Sequence, residues 1–596
     1  MDTEAQLLFQ MGAIMLLAFI AATLARKMNQ SVMIGYIAIG ILIGPKISVE
    51  ILGYEYHGLI TDTSLISMLS FVGLVMLMFF VGLEFSFSKL KKTRTPAIIL
   101  AVIDTSVGLF VGFMFASFLG WPLIDSIFLA GVIAMSSTSI AMKVLFDLKR
   151  MSSPEVEFLI GLVVVETFIA MLILTVASGM VVRPEADPSE YGQLLLGMGA
   201  FYAFFVWVAM WAVPRVVSFF NSIENDEMFI LFALGIVFLT AGFAAVMNVP
   251  PIIGAFFIGM ILAETNVSVR IRSKLESFKD AFVAIFFTSF GMMIDPAMFP
   301  DVIWMVALAI PLVILYEVFV MSSITYFLGF SAKASMTIGT SASGRGVESI
   351  LYASVGSNVK GATMGSLLNP FAGVFCFAMS AISPALVKHS AALANAAGKV
   401  VPKQVRFSSS IISRTLGKVI LPSSLKIFKG ARMTGALLIS FVALSTVILL
   451  VDSSLHFVFV LCGLVMAAAV YFVVQFEVSE IVRHVNYSNL GVRSESRKTI
   501  VALVSWVVSG AALSTLVIVS IWTYVWQLSL LVVAAYVVSL VYLMFRAYAR
   551  IHVDVQETVP RVYNFPKPIM IEDEAGKELP KPVYGVVKSA PRNVRL

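Results

Sequence analysis

The sequence predicts an all-α polytopic membrane protein built on an inverted repeat, with one interrupted helix in each half. Three observations carry this. First, the 596 residues are 59% hydrophobic and only 13% charged, with a mean hydropathy of +0.96. Soluble domains run near half apolar and a quarter charged. Second, apolar runs of membrane length follow one another along the chain, and Lys and Arg gather in alternate loops. Third, stretches in the two halves repeat each other in the same order.

The apolar runs fall at about 6–25, 32–45, 65–83, 96–119, 124–145, 157–180, 194–219, 227–246 and 249–263. Others follow at about 278–294, 302–328, 334–356 and 362–386, then at about 433–451, 455–476, 499–521 and 524–545. By the ~20-residue criterion this is about seventeen spans, several too short to cross straight. The first run has no basic segment before it and reads as a helix that stays in the chain. Positive charge tests the order of the spans. Arg26–Lys27, the group Lys89, Lys91, Lys92 and Arg94, and Lys149–Arg150 all follow odd-numbered spans. So do Arg270, Arg272 and Lys274, then Lys333, then the basic stretch from Lys388 to Arg432. The intervening loops are poor in both residues. The expected orientation is N-terminus outside and C-terminus cytoplasmic, in the plasma membrane. The net charge of +6 needs no nucleic-acid partner, because basic loops on one face produce it.

The repeat is read directly. ARKMNQSVMIGYIAIGILIGP (25–45) lies over AAVMNVPPIIGAFFIGMILAE (244–264) at a constant spacing of 219 residues. Ile34–Gly35 then falls on Ile253–Gly254, and Ile39–Gly40 on Ile258–Gly259. LMFFVGLEF (77–85) lies over the 287–295 region with Gly82 on Gly291. LAGVIAMSSTSIA (129–141) lies over TIGTSASGRGVES (337–349), with Gly131 on Gly339 and Ala134 on Ala342. The copies, near 25–146 and 244–355, stand seven spans apart. An odd separation inverts one copy in the membrane, the arrangement of many secondary transporters.

The repeat also marks where helices break. Met135–Ser139 interrupts the fifth span and Ser341–Gly346 the twelfth, each with small, polar, flexible residues at membrane depth. Unwound backbone survives there only when buried in protein or lining a cavity. Small residues for close helix packing would explain the serines alone, but not Arg345 and Glu348 beside them. Ionisable groups at such depth are costly, about 3 kcal/mol on insertion scales, and are functional by default. Glu166 is the central example, a single carboxylate near the middle of the sixth span; a paired or protonated structural carboxyl is the alternative. Glu317 lies mid-span in the eleventh helix, either as a second titrating group or paired with Arg345. Asp104 lies mid-span in the fourth. Arg345 is expected to balance half-helix ends, or to bridge locally to Glu348.

These pieces resemble the monovalent cation:proton antiporter-2 family, which holds sodium–proton and potassium-efflux antiporters. VMIGYIAIGILIGP (32–45), VMLMFFVGLEFSFSKLKK (75–92), AGVIAMSSTSIAMKVL (130–145), GLVVVETFIAMLIL (161–174), VPPIIGAFFIGMILAE (249–264) and FFTSFGMMIDP (286–296) match in order. The resemblance covers about 1–390. It implies the sodium–proton antiporter fold, with thirteen helices, two crossed discontinuous helices, and a homodimer working by elevator-type alternating access. The family's acidic pair falls on Glu166 and Thr167, so threonine stands where the aspartate is usual. The family's lysine falls near Tyr316 and Glu317. No GxGxxG nucleotide-binding segment follows the transport part.

The chemistry expected is exchange of Na⁺ or K⁺ for protons at one carboxylate that takes either, Glu166. Thr167, Ser136, Ser137 and Thr138 offer neutral oxygens, which suit hard monovalent cations; Glu317 and Asp104 are further carriers. No cofactor and no resident metal are expected: Cys376 and Cys462 have no ligand spacing. Neither HExxH nor a phosphate-binding loop is present, so an enzyme is not expected. Two alternatives stay open: a transport-inactive scaffold used as sensor or assembly subunit, and a same-fold transporter of another solute with Arg345 as counter-charge. The organisation expected is a transport domain over 1–390 and a basic cytoplasmic linker over 391–432. An accessory bundle of about four spans (433–545) and a cytoplasmic tail (546–596) complete it.

Overall fold

The computed structural model describes residues 3–28, 32–51, 54–84, 95–147, 150, 154–180, 213–246, 251–359, 362–410 and 528–558, with short stretches between 465 and 510 and at 570–572 and 578–580. Among the described residues, seven helices are long and apolar enough to cross a membrane. Shorter apolar helices accompany them, and the reason for their length is the repeat. Val32–Ile43 and Pro251–Ala263 occupy equivalent positions in the two copies and have 12 and 13 residues. At 1.5 Å per residue each reaches about 18–20 Å, short of a ~30 Å hydrocarbon core. Each is buried instead between longer helices.

Helix starts follow local chemistry. Asp62 accepts from Ser64 N at 2.9 Å and Leu65 N at 3.1 Å ahead of Thr63–Glu84. Asn225 accepts from Glu227 N at 2.8 Å ahead of Asp226–Val246. Ser331 does the same for Ala334 N at 3.2 Å at the start of Ala332–Ala342. Each satisfies an amide that the first turn leaves without a partner.

The inverted repeat is written into the packing, contact for contact. A Cβ on Gly35 would meet Ala21 O at 2.6 Å and Ala25 Cβ at 3.1 Å; one on Gly254 would meet Thr240 O at 2.5 Å and Ala244 Cβ at 2.9 Å. All three positions of the second set lie 219 residues beyond the first. The central crossings repeat likewise. Helix Val32–Ile43 meets Ser268–Met293 at Gly40 and Gly291, and Pro251–Ala263 meets Thr63–Glu84 at Gly259 and Gly82. A Cβ on Gly40 would lie 2.2 Å from Thr288 O, and one on Gly259 would lie 2.2 Å from Phe79 O. Glycine is needed at these points because backbone touches backbone.

Both expected interruptions are present. Leu123–Ala134 stops and Thr138–Asp147 resumes; Ala332–Ala342 stops and Val347–Ser357 resumes. The breaks are tighter than the residue types indicate, at 135–137 and 343–346. The eleventh helix holds a feature with no sequence expectation. Phe299–Ile314 contains Pro311, and the chain then widens into a π-helical turn, Leu315–Met321, before Ser322–Phe327. Pro311 cannot donate its rung and crowds the carbonyl four residues back, so the ladder re-registers beyond it.

Two further differences concern the ends of elements. The stretch expected as linker begins as helix Ser390–Val400, with Ser390 and Ala394 buried. Thr337 Oγ1 and Ser390 Oγ lie 3.1 Å apart, and Arg150 Nη1 donates to Ser390 Oγ at 3.3 Å. The last helix runs on past Arg546 to Thr558, because no Pro or Gly interrupts 547–558. Two short hairpins, Val49–Ile51 with Tyr54–Tyr56 and Met570–Glu572 with Glu578–Pro580, are the exception to an otherwise helical set of described residues. The spans expected at 194–219, 433–451, 455–476 and 499–521 lie largely outside those residues.

Candidate cation and proton site

The two interrupted helices cross at their breaks. Ser137 N donates to Gly344 O at 2.8 Å, and Ser349 Oγ donates to Met135 O at 3.2 Å. A Cβ on Gly346 would fall 2.5 Å from Ser137 Oγ, so glycine there lets the strands meet. Breaking a helix exposes carbonyls at one half's C-terminus and amides at the other's N-terminus. The site is made from how these are satisfied.

The amide end faces Glu166. This residue sits on Pro154–Met180 and is 2% exposed. Ser136 N donates to its Oε1 at 2.7 Å, and Ser136 Oγ donates to its Oε2 at 2.5 Å. One residue of the break thus holds both oxygens of the carboxylate. Half-helix Thr138–Asp147 begins two residues later, so its positive end is directed at the same group. Thr167 follows, also largely buried. Thr138 opens the half-helix, and its side chain lies outside the described residues.

The carbonyl ends are taken by Arg345, which is wholly buried. Nε donates to Ile133 O at 2.8 Å, in the last turn of the first half-helix. Nη1 donates to Ala342 O at 2.7 Å and Gly344 O at 3.3 Å, at the end of the other. Nη2 donates to the Tyr316 hydroxyl and to Glu317 Oε1, the latter at 2.7 Å. A guanidinium has five N–H donors, and here each has a protein partner. The guanidinium thus spans the ends of both half-helices, and it forms an ion pair with Glu317 at 2.7 Å.

Glu317 reaches Arg345 because it sits on the π-helical turn, and that turn packs on Gly339 of the second interrupted helix. A Cβ on Gly339 would lie 2.4 Å from Glu317 O. Asp104, 2% exposed, completes the group: its helix Thr95–Phe118 packs against both Pro154–Met180 and the π-helical turn, and its Oδ1 has no hydrogen-bond partner. One turn further, a Cβ on Gly108 would be 3.1 Å from the Tyr316 hydroxyl. The structure therefore gathers Glu166, Ser136, Ser137, Arg345, Glu317 and Asp104 around one crossing, from five separate stretches of chain. A cavity of about 240 Å³, almost entirely apolar in lining, approaches Arg345 and Gly346 from the side of Met33, Ile37 and Phe377. Among the described residues no cluster of His, Cys, Asp and Glu is arranged to hold a metal.

Sequence reasoning missed three residues here. Tyr352, from an apolar run, donates to Ala170 O at 2.6 Å. Ser349 ties the two breaks together. Asp125, wholly buried, accepts from Thr363 N at 3.1 Å and Met364 N at 3.0 Å, joining the start of the first interrupted helix to the start of Gly365–Lys388. An acidic residue at a span end reads as a boundary charge, and its partners stand 238 and 239 positions away. No local signal was available.

A family model, sodium/hydrogen exchanger, transmembrane, matches residues 14–388, well over half of the chain. The chain belongs to the sodium/hydrogen exchanger family. This is a family of transporters, and the two crossed interruptions sit inside its matched segment. A K(+)/H(+) antiporter subunit, KhtU, of Bacillus subtilis is 32% identical over 390 residues, covering 64% of this chain and 93% of that one. An ammonium/H(+) antiporter subunit, AmhT, of Alkalihalophilus pseudofirmus is 28% identical over 392 residues, covering 65% and 94%. Among solved structures, the sodium proton antiporter MjNhaP1 of Methanocaldococcus jannaschii aligns with a TM-score of 0.48 and 15% identity, over 65% of this chain and 99% of that one.

Proposed function

We propose that this exchanger-family protein trades Na⁺ or K⁺ for protons across the plasma membrane, with Glu166 as the site the two share. The observation that carries it is the grip of Ser136 on both oxygens of a buried, mid-helix carboxylate at the break. In this resting arrangement Ser136 donates twice. When a cation arrives, rotation of the Ser136 hydroxyl turns its oxygen from donor to ligand, beside the carboxylate and with Thr167 and Thr138 at hand. When a proton arrives, Glu166 becomes neutral. Either load permits reorientation, whereas a bare carboxylate carried through the hydrocarbon layer costs about 3 kcal/mol or more. That penalty slows uncoupled movement by a factor of a hundred or more, since about 1.4 kcal/mol is tenfold. Arg345 keeps Glu317 paired through the cycle, and Asp104 is a further group able to carry a proton.

The transport unit is residues 1–390, acting as a homodimer by alternating access, with the N-terminus outside and the C-terminus in the cytoplasm. Residues 433–545 are an accessory bundle joined by the basic linker, ahead of a cytoplasmic tail. Both relatives bear the word subunit in their names, which supports a complex with a further polypeptide.

The test is proton movement in proteoliposomes under an imposed pH gradient, with Na⁺, K⁺, Li⁺ or NH₄⁺ added to wild type and to Glu166→Gln. Cation-triggered flux is expected in wild type and absent in the variant, with the cation KM rising as pH falls because the two ligands compete. Flux that persists in the variant moves the site to Glu317 or Asp104. Folded wild-type protein with no flux for any cation leaves a transport-inactive scaffold.

A further inference from the structure

Tyr352 lies on Val347–Ser357, the second half of the second interrupted helix, and is wholly buried. Its hydroxyl donates to Ala170 O at 2.6 Å. The hydroxyl is thereby tied to the backbone of Pro154–Met180, using the second lone pair of a helical carbonyl. The position is not an arbitrary one. Ala170 lies one turn beyond Glu166 on the same helix.

The other side of Tyr352 is as tightly defined. Its ring lies on Gly131, where a Cβ would fall 2.0 Å from Cδ1 and 2.3 Å from Cε1. Gly131 belongs to the last turn before the first break, and its carbonyl accepts from Met135 N at 3.2 Å. One turn back from Tyr352, Ser349 holds Met135 O. A single side chain thus touches the helix that carries Glu166 and the half-helix that leads to Ser136, while belonging to the element that carries Arg345.

We infer that Tyr352 is a positioning residue for ion exchange, setting the register between Glu166 and Ser136 by its hydrogen bond to Ala170 O and its seat on Gly131. The inference rests on the reading of Glu166 as the exchange site. Removing the hydroxyl releases this helix from the second interrupted helix, and the carboxylate one turn away shifts from Ser136. A cation ligated by both residues then binds more weakly, while the steps that follow loading are unaffected.

The experiment is Tyr352→Phe, read in two ways. In proteoliposomes the cation KM is expected to rise threefold or more with the maximal rate within twofold of wild type. In an electron cryo-microscopy structure of the same variant, the Ser136–Glu166 hydrogen bonds are expected to lengthen beyond hydrogen-bond distance. An unchanged KM, or a loss confined to the maximal rate, overturns the inference. The structural arm separates it from the functional reading: if wild type moves no cation, that reading fails, and an unaltered Ser136–Glu166 distance in the variant still overturns the positioning role. Should Tyr352→Phe not yield monodisperse protein, Gly131→Ala displaces the ring with the hydroxyl intact and is read against the same outcomes.

Discussion

Ser136 presents two donors to one carboxylate, and they differ in what a mutation removes. Ser136→Ala keeps the backbone amide on Glu166 Oε1 and deletes the hydroxyl on Oε2. Hydrogen bonds to charged groups contribute about 1.5–3 kcal/mol. The variant is therefore expected to fold with its cation KM raised at least tenfold, measured by proton flux against cation concentration. An unchanged KM would place the cation away from this hydroxyl. At this scale the sequence was informative about identity. Glu166 stood out because a carboxylate near the middle of a membrane-length apolar run has no cheap structural explanation. Tyr352 did not stand out, since a tyrosine in an apolar run carries no sign of where its hydroxyl goes.

The interrupted helices set the next scale, and Arg345 is what closes their exposed ends. It takes carbonyls from both half-helices and neutralises Glu317 at once. Arg345→Met leaves those carbonyls and a buried carboxylate without a partner, a change expected to cost about 3–5 kcal/mol. Thermal unfolding in detergent checks this. Adding Glu317→Gln to Arg345→Met should recover part of the loss, because it removes the unpaired charge; no recovery would mean that the carbonyl contacts dominate. The breaks were legible because small polar residues mid-span have few other uses. The π-helical turn that aims Glu317 was not: Pro311 signals disturbance of a ladder but not the direction in which the next turn points.

For the whole molecule, the repeat makes a paired prediction. Gly40 and Gly259 are equivalent in sequence, and each would place a Cβ 2.2 Å from a carbonyl oxygen of the crossing helix. Gly40→Ala and Gly259→Ala should therefore destabilise by similar amounts, at or above the usual 1–3 kcal/mol (~2) of an overpacked core. Gly12→Ala, with nothing within 4 Å, should be neutral. Melting temperatures of the three variants compared with wild type decide it, and unequal losses at 40 and 259 would count against structural equivalence. The C-terminal side connects to this body through helix Ser390–Val400. Ala394 packs with Val318 and Met336 there, and beyond that helix Ser408 Oγ donates to Met544 O at 2.7 Å.

Composition and span length by themselves determined a polytopic membrane protein, because water and hydrocarbon sort residues regardless of fold. The constant spacing of 219 between copies determined two related halves, and an odd separation of seven spans inverted one of them. Small polar residues at equivalent depths located the two breaks, and their cost in lipid located Glu166. Only the tertiary structure decided which groups meet. Ser136 and Glu166 are 30 residues apart, Arg345 and Ile133 are 212, and Tyr352 and Ala170 are 182. Contacts at such separations are set by helices packing through glycine crossings in three dimensions. Periodicity along a chain records which face of a helix is buried, but not which helix lies against it.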